Sequence, residues 1–114
     1  LLIYGLQRAR DLRQEDDLGF SFGADAGDTP PSPAKQFPTI LREGPDLGIH
    51  TIIWCDTYTN LTRTLDRRSL REFEMRVAMQ MSAEDSSNLI DTPAAGKLGL
   101  YRAYFYSEDE ARLE

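Results

Sequence analysis

The chain of 114 residues contains a single cysteine and a single histidine. One cysteine excludes a disulfide within the chain and favours a reducing, intracellular setting, so we expect a cytoplasmic protein. One cysteine and one histidine are also too few for a zinc site of the usual composition, so we expect no metal ligands in this chain. No apolar stretch approaches the roughly twenty residues that span a bilayer, so no membrane segment is expected.

An initiator methionine is also lacking, and the chain opens on the apolar residues Leu1, Leu2 and Ile3. Because a complete protein seldom leaves such a run at its end, we expect a fragment. Its 40% hydrophobic and 28% charged content is ordinary for one small globular domain.

Positive charge is scarce, since 13 lysines and arginines face 19 acidic residues and the net charge is −6. Such a balance argues against a surface broadly adapted to nucleic acid. Arginines do cluster at residues 8–13 and 67–71. We favour solvated helix faces over a binding role for these clusters, and local contact with DNA stays open.

Apolar spacing predicts alternating strands and helices. We expect strands at residues 1–6, 49–55, 74–81 and 101–107. Helices are expected at residues 34–43, after Asp66, after Ser82 to about Asp91, and from residue 108 onward. This order predicts an α/β fold in which helices cover a sheet.

Residues 14–33 are rich in Asp, Gly, Ser and Pro, which predicts a mobile loop. Ser32 and Pro33 then suit a helix start, and Gly44 with Pro45 suits its end. Pro38 is an interior proline, so the helix either kinks there or begins nearby.

The stretch GIHTIIWCDT at residues 48–57 predicts a strand buried on both faces with a polar end. Ligands of open α/β sheets bind beyond the carboxyl ends of parallel strands, which places Asp56 and Thr57 where chemistry is expected. We interpret Cys55 as a small buried hydrophobe in preference to a nucleophile. We interpret His50 as a structural hydrogen-bonding residue in preference to a catalyst.

A phosphate-binding loop of the form G-x-x-x-x-G-K-[ST] is absent from the sequence. Gly96 and Lys97 imitate its end, but Leu98 stands where the hydroxyl is needed. No glycine stands five residues before Gly96, so this stretch is not a nucleotide loop.

Residues 40–57 (ILREGPDLGIHTIIWCDT), 73–91 (FEMRVAMQMSAEDSSNLID) and 102–107 (RAYFYS) together resemble the FtsK/SpoIIIE group of DNA translocases, which are RecA-like motor ATPases. The direct matches to that family's motifs are Gly48, Ile49, His50, Arg76, Val77, Asp85 and Ser86. The resemblance covers about the last two thirds of the chain. It implies that residues 1–114 are the carboxyl-terminal portion of one RecA-like motor domain. The fold implied is part of a P-loop ATPase core with a mostly parallel sheet flanked by helices.

By this resemblance Asp56 takes the place of a glutamine that senses the γ-phosphate, and Cys55 takes that of the threonine before it. Thr57 completes the same polar tip. Tyr4 and Gly5 take the places of the Walker B aspartate and glutamate, which serve Mg²⁺ and the attacking water. Neither Tyr4 nor Gly5 can serve Mg²⁺ or the attacking water in this way. An anionic Asp56 also repels phosphate unless a cation lies between them. Hydrolysis at a site that uses this strand is therefore expected to be severely reduced.

The family also uses an arginine that reaches a neighbouring subunit's nucleotide. Arg42 is the nearest candidate for this trans finger, and an exposed arginine beside Glu43 is an equally weighted alternative. Arg76 is the lesser candidate because it can pair within the sheet.

Two functions follow from the resemblance. The first is an ATP-dependent double-stranded DNA translocase that forms a homo-oligomeric ring, with ATP and Mg²⁺ as cofactors of the full-length protein and none held by this fragment alone. The second is a catalytically degenerate RecA-like pseudo-ATPase that acts as an assembly or protein-interaction module. The sequence leaves open whether ATP is hydrolysed.

Overall fold

The structure, a computed structural model, describes residues 1–14 and 31–114 and contains both helices and strands. The described residues fall into two units, Leu1–Leu70 and Arg71–Glu114. The mixture of helices and strands confirms the α/β expectation in coarse form. Most of the predicted loop at residues 14–33 lies outside the described residues. Within the described ranges, no helix has the length and apolar character needed to cross a membrane.

The first unit contains a parallel pair of strands. β1 (Leu2–Tyr4) pairs residue for residue with β2 (Ile52–Trp54). The Gly5 amide continues this ladder by donating to the Trp54 carbonyl at 3.1 Å. Because the strands are parallel, their carboxyl ends lie at the same edge of the sheet.

Short helices surround this pair in the sequence. They are the 3₁₀ turns Leu6–Arg8, Arg10–Leu12 and Pro45–Leu47 and the helices α1 (Pro33–Glu43), α2 (Tyr58–Thr62) and α3 (Arg67–Arg71). The buried apolar side chains of the unit are Leu6, Phe37, Leu41 and Leu65. The turn Leu6–Arg8 buries Leu6 and helix α1 buries Phe37 and Leu41, and this packing adds stability that short helices lack on their own.

Helix α1 begins and ends where the sequence predicts. Ser32 is its N-cap, although the carbonyl of Ser32, and not its hydroxyl, accepts from the first amides. The helix continues through Pro38. Phe37 and Leu41 lie one turn apart and are both buried, so packing holds the helix across the lost hydrogen bond.

The expectation that β2 is buried on both faces is wrong for the described residues. Ile52 is 67% exposed and Trp54 is 41% exposed, and Leu2 and Tyr4 on β1 are 72% and 78% exposed. Side chains alternate between the two faces of a strand, so these four residues share one face. The described part of the chain leaves that face uncovered.

The second unit contains an antiparallel sheet with the strand order β3 (Met75–Ala78), β4 (Tyr104–Ser107) and β5 (Arg112–Leu113). Parallel pairing, predicted for most of the sheet, therefore holds only for β1 and β2 among the described strands. A tight turn joins β4 to β5, and such a turn permits only antiparallel neighbours.

The helix predicted from residue 108 onward is also wrong, because this segment forms the turn and β5. Phe105 and Glu114 exchange both backbone hydrogen bonds, at 2.7 and 2.9 Å. This pairing with β4 overrides the local helical preference of the acidic residues.

Helix α4 (Ala83–Ile90) packs on one face of the antiparallel sheet. It begins as predicted, since the Ser82 hydroxyl accepts from the Asp85 amide at 3.0 Å. The 3₁₀ turn Pro93–Lys97 follows it. The buried apolar residues of this unit are Ala78, Ile90 and Ala95.

Candidate functional site

Four of the residues predicted to form the site lie at the carboxyl ends of β1 and β2. Tyr4 is the last residue of β1, and Gly5 is hydrogen-bonded to Trp54, the last residue of β2. Asp56 and Thr57 follow Trp54 by two and three residues. The parallel pairing therefore brings the expected Walker B position and the expected sensor position to one edge.

Gly5 turns the chain out of β1 with a left-handed backbone, φ 83° and ψ 58°. A Cβ at this position would meet no atom closer than 3.7 Å, so space does not limit the side chain. The backbone conformation does, because a residue with a Cβ is strained at this φ. A glutamate at position 5 would therefore be disfavoured in this turn.

Thr57 begins helix α2 and uses its hydroxyl to do so. Its Oγ1 accepts a hydrogen bond from the Asn60 amide at 3.2 Å, as an N-cap threonine does. This bond fixes the direction in which the chain leaves β2. The polar tip is therefore locally ordered at Thr57.

Asp56 is exposed, and its carboxylate is held by a neighbour on α2. Its Oδ1 accepts from the Asn60 side-chain amide at 2.9 Å, and the Asn60 Oδ1 accepts from Arg63 at 3.2 Å. The hydrogen bond from Asn60 lowers the pKa of Asp56, so the carboxylate is ionised at neutral pH. An oriented anion of this kind suits a cation or a hydrogen-bond donor and repels a bare phosphate.

Asn60 and Arg63 were missed from the sequence. The signal was present, because Asn60 stands four residues after Asp56 and Arg63 three residues after Asn60. Those are the spacings at which side chains meet along a helix. It was missed because residues 58–62 were not recognised as helical.

Cys55 lies between the strand and this tip and is partly buried. Its Sγ is 3.5 Å from the Thr57 carbonyl and 3.8 Å from the Asp56 carboxylate. Burial raises the pKa of the thiol, and the negative charge of Asp56 raises it further. A protonated thiol that donates weakly agrees with the interpretation of Cys55 as a small hydrophobe.

His50 lies at the other end of β2, and its side chain is exposed. Its carbonyl accepts a hydrogen bond from the Leu1 nitrogen at 2.6 Å, which extends the pairing of the two strands. The His50 side chain makes no hydrogen bond among residues 1–14 and 31–114, so its structural role stays a prediction.

Arg42 is not brought to the four residues at the strand ends. It is near the end of α1, and the Ile49 amide donates to the Gly44 carbonyl at 2.8 Å, so this helix end lies at the amino end of β2. The Arg42 guanidinium pairs with Glu43 at 2.9 Å, and both side chains are about 60% exposed. Its role as a trans finger stays a prediction.

Arg76 is fixed within the second unit. Its side chain is 10% exposed and donates to the carbonyls of Phe73 and Leu89 at 2.9 and 3.1 Å and to the Glu108 carboxylate. Its guanidinium also lies 5.5 Å from the centre of the Tyr106 ring. These contacts agree with its treatment as the lesser candidate for a finger.

The four strand-end residues supply one carboxylate, that of Asp56, where the family's motifs supply a Walker B aspartate and glutamate and a sensor glutamine. In residues 1–14 and 31–114 there is no group of three or more His, Cys, Asp or Glu side chains arranged to hold a metal ion.

A scan of protein-family models, a search of curated proteins and a search of solved structures found no match to this chain.

Proposed function

We propose that this chain is the carboxyl-terminal part of a RecA-like motor domain in an FtsK/SpoIIIE-like, ATP-dependent double-stranded DNA translocase. The observation that carries the proposal is the parallel, in-register pairing of β1 with β2. The resemblance assigns these two strands to Walker B and sensor positions, and ligands of α/β sheets bind beyond such strand ends.

The uncovered face of the parallel pair supports the same proposal. Parallel sheets occur almost only where helices cover both faces, and a two-stranded sheet is marginal on its own. The exposed side chains of Leu2, Tyr4, Ile52 and Trp54 therefore suit a sheet that further polypeptide covers. A RecA-like core that extends beyond this chain would provide that cover.

In this proposal Asp56 occupies the sensor position, oriented by Asn60 and linked through it to Arg63. Arg42 is the arginine offered to a neighbouring subunit, since its side chain is exposed and lies away from Asp56. ATP and Mg²⁺ are held mainly by residues of the full-length protein outside this chain. The working form is a homo-oligomeric ring around duplex DNA.

A second candidate is a pseudo-ATPase that serves assembly, and the Walker B positions favour it. Tyr4 is engaged in a ring stack with Trp54, and Gly5 has a backbone that disfavours glutamate. Such a module would bind nucleotide without turnover, or would bind none.

A translocation assay tests the first candidate. The full-length protein, supplied with ATP, should displace a third-strand oligonucleotide from duplex DNA, and Asp56→Asn should speed this displacement because an amide at the sensor position does not repel phosphate. Asp46→Asn, in the turn after α1, is the matched control and should displace at the wild-type rate. No displacement by the wild-type protein, with nucleotide still bound, would favour the pseudo-ATPase.

A further inference from the structure

The loop at residues 99–103 projects from the second unit, between the turn Pro93–Lys97 and β4. All five of its residues are exposed. Leu100 is 77% exposed and Tyr101 is fully exposed. Apart from pairing within helices and strands, none of the five makes a backbone hydrogen bond to another described residue.

Tyr101 also has a left-handed backbone, with φ 62°. A bulky residue other than glycine is uncommon in this region and costs conformational energy. The loop thus presents the large side chains of Leu100 and Tyr101 to solvent.

Charge differs between the two ends of β4. Lys97 precedes the loop and Arg102 lies within it, and neither is in an ion pair within residues 1–14 and 31–114. The turn after the strand contains Glu108, Asp109 and Glu110. A four-residue strand separates the two ends by about 14 Å, so they cannot neutralise each other within one chain.

The acidic turn keeps one carboxylate free of ion pairs among the described residues. Glu108 pairs with Arg76, and Glu110 lies 3.8 Å from Arg112. Asp109 is exposed and has no such partner in the part of the chain that the structure describes. It is therefore the acid most available to a cation from outside the chain.

We propose that the 99–103 loop docks onto the acidic 108–110 turn of a second copy of this chain. The two surfaces lie at opposite ends of one strand, which suits head-to-tail association, and such association closes into a ring when its rotation permits. Tyr101 and Arg102 are of the residue types that most often dominate interface energetics. The inference rests on the assembly part of the proposed function and not on its nucleotide chemistry.

Charge-reversal variants of the full-length protein test this contact. Their association is measured by sedimentation velocity over a range of concentrations. Arg102→Glu should weaken association about fivefold, and Asp109→Arg should weaken it similarly, because each places like charges together. The double variant should restore association toward the wild-type value. Tyr101→Ser should weaken association about tenfold, as loss of an aromatic anchor does.

Arg68→Glu is the matched control, since it reverses an exposed arginine on α3 and should leave association unchanged. Association that is equally strong in the single variants, or that the double variant fails to restore, would overturn the proposal. Loss of duplex DNA binding in Arg102→Glu with association intact would overturn it as well and would assign the loop to DNA. ATP turnover, measured separately, reports on the motor function alone.

Discussion

The rings of Tyr4 and Trp54 stack across the parallel strands, with centroids 4.8 Å apart and planes inclined by 17°. The two residues are partners in the register of β1 and β2 and are the last residues of their strands. Both lie on the exposed face. The stack therefore joins the two strand ends at the candidate site. Burial cannot hold them together on this face, because the face is exposed.

Removing the Tyr4 ring should loosen this edge. Tyr4→Ala is expected to lower the free energy of unfolding by about 1 kcal/mol, because a stacked aromatic pair contributes on that order. Tyr4→Phe keeps the ring and is the control, with little expected change. Urea unfolding followed by tryptophan emission measures both, and equal losses in the two variants would contradict a role for the stack.

Ser86 should be the polar residue of α4 least tolerant of substitution. It is fully buried, and its hydroxyl donates to the Thr92 carbonyl and accepts from the Ala95 amide at 3.1 Å. Ser86→Ala leaves both backbone groups without their partner and should cost about 1–3 kcal/mol of stability.

Ser87 is the neighbouring control, because it is exposed and its hydroxyl bonds only within the helix, to the Ala83 carbonyl. Ser87→Ala should change the free energy of unfolding by less than about 0.5 kcal/mol. Chemical denaturation of the two variants side by side makes the comparison. A Ser86→Ala loss no greater than that of Ser87→Ala would contradict the hydrogen-bond assignment.

Asp66 should make stability fall in acid. Its carboxylate accepts from the Ser69 amide at 2.7 Å at the start of α3, and this bond lowers the pKa of Asp66. A carboxyl whose pKa is lower in the folded protein stabilises it above the unfolded pKa of about 4, and that contribution is lost as pH falls through the folded value.

Asp66→Asn keeps an N-cap acceptor without the titration, so its unfolding midpoint should depend less on pH below about pH 4 than that of the wild type. Asp66→Ala removes the cap and should cost about 1 kcal/mol already at neutral pH. Thermal unfolding from pH 2 to pH 7 separates the two effects. Identical acid profiles for wild type and Asp66→Asn would show that this carboxyl does not contribute.

Cys55 should alkylate slowly in the folded protein. Burial raises the pKa of its thiol, and the reactive species is the thiolate, so less of it forms at pH 8 than in an unfolded chain. Iodoacetamide labelling, followed by mass spectrometry across pH 7–10, should show a rate curve displaced to higher pH relative to the denatured protein. Faster labelling in the folded state would instead indicate an activated thiol.

Sequence patterns predicted the elements that depend on local signals. The Ser82 hydroxyl and the Gly44–Pro45 stop set the ends of helices through neighbouring residues, and both ends were predicted. β5 was not, because its formation depends on the Phe105 and Glu114 exchange, which no local propensity encodes. The alternation of Met75, Arg76 and Val77 predicted β3 but could not specify an antiparallel partner.

The candidate site was predicted in part. The polar end of β2 predicted Asp56 and Thr57 as site residues, and they follow the strand at the same sheet edge as Gly5 because the strands are parallel. The exposure of Ile52 and Trp54 was not predicted, because the apolar residues of a strand indicate that it is covered but not which element covers it. That depends on packing partners, which a strand's own residues do not specify.

ATP turnover by the full-length protein, with and without duplex DNA, tests the central claim most directly. A variant of any phosphate-loop lysine in the full-length protein is the control without turnover. We expect turnover that duplex DNA stimulates and that this variant loses, with the groups missing at Tyr4 and Gly5 supplied elsewhere in the assembly. Nucleotide binding without turnover, in the presence of DNA, would contradict the motor and indicate the pseudo-ATPase.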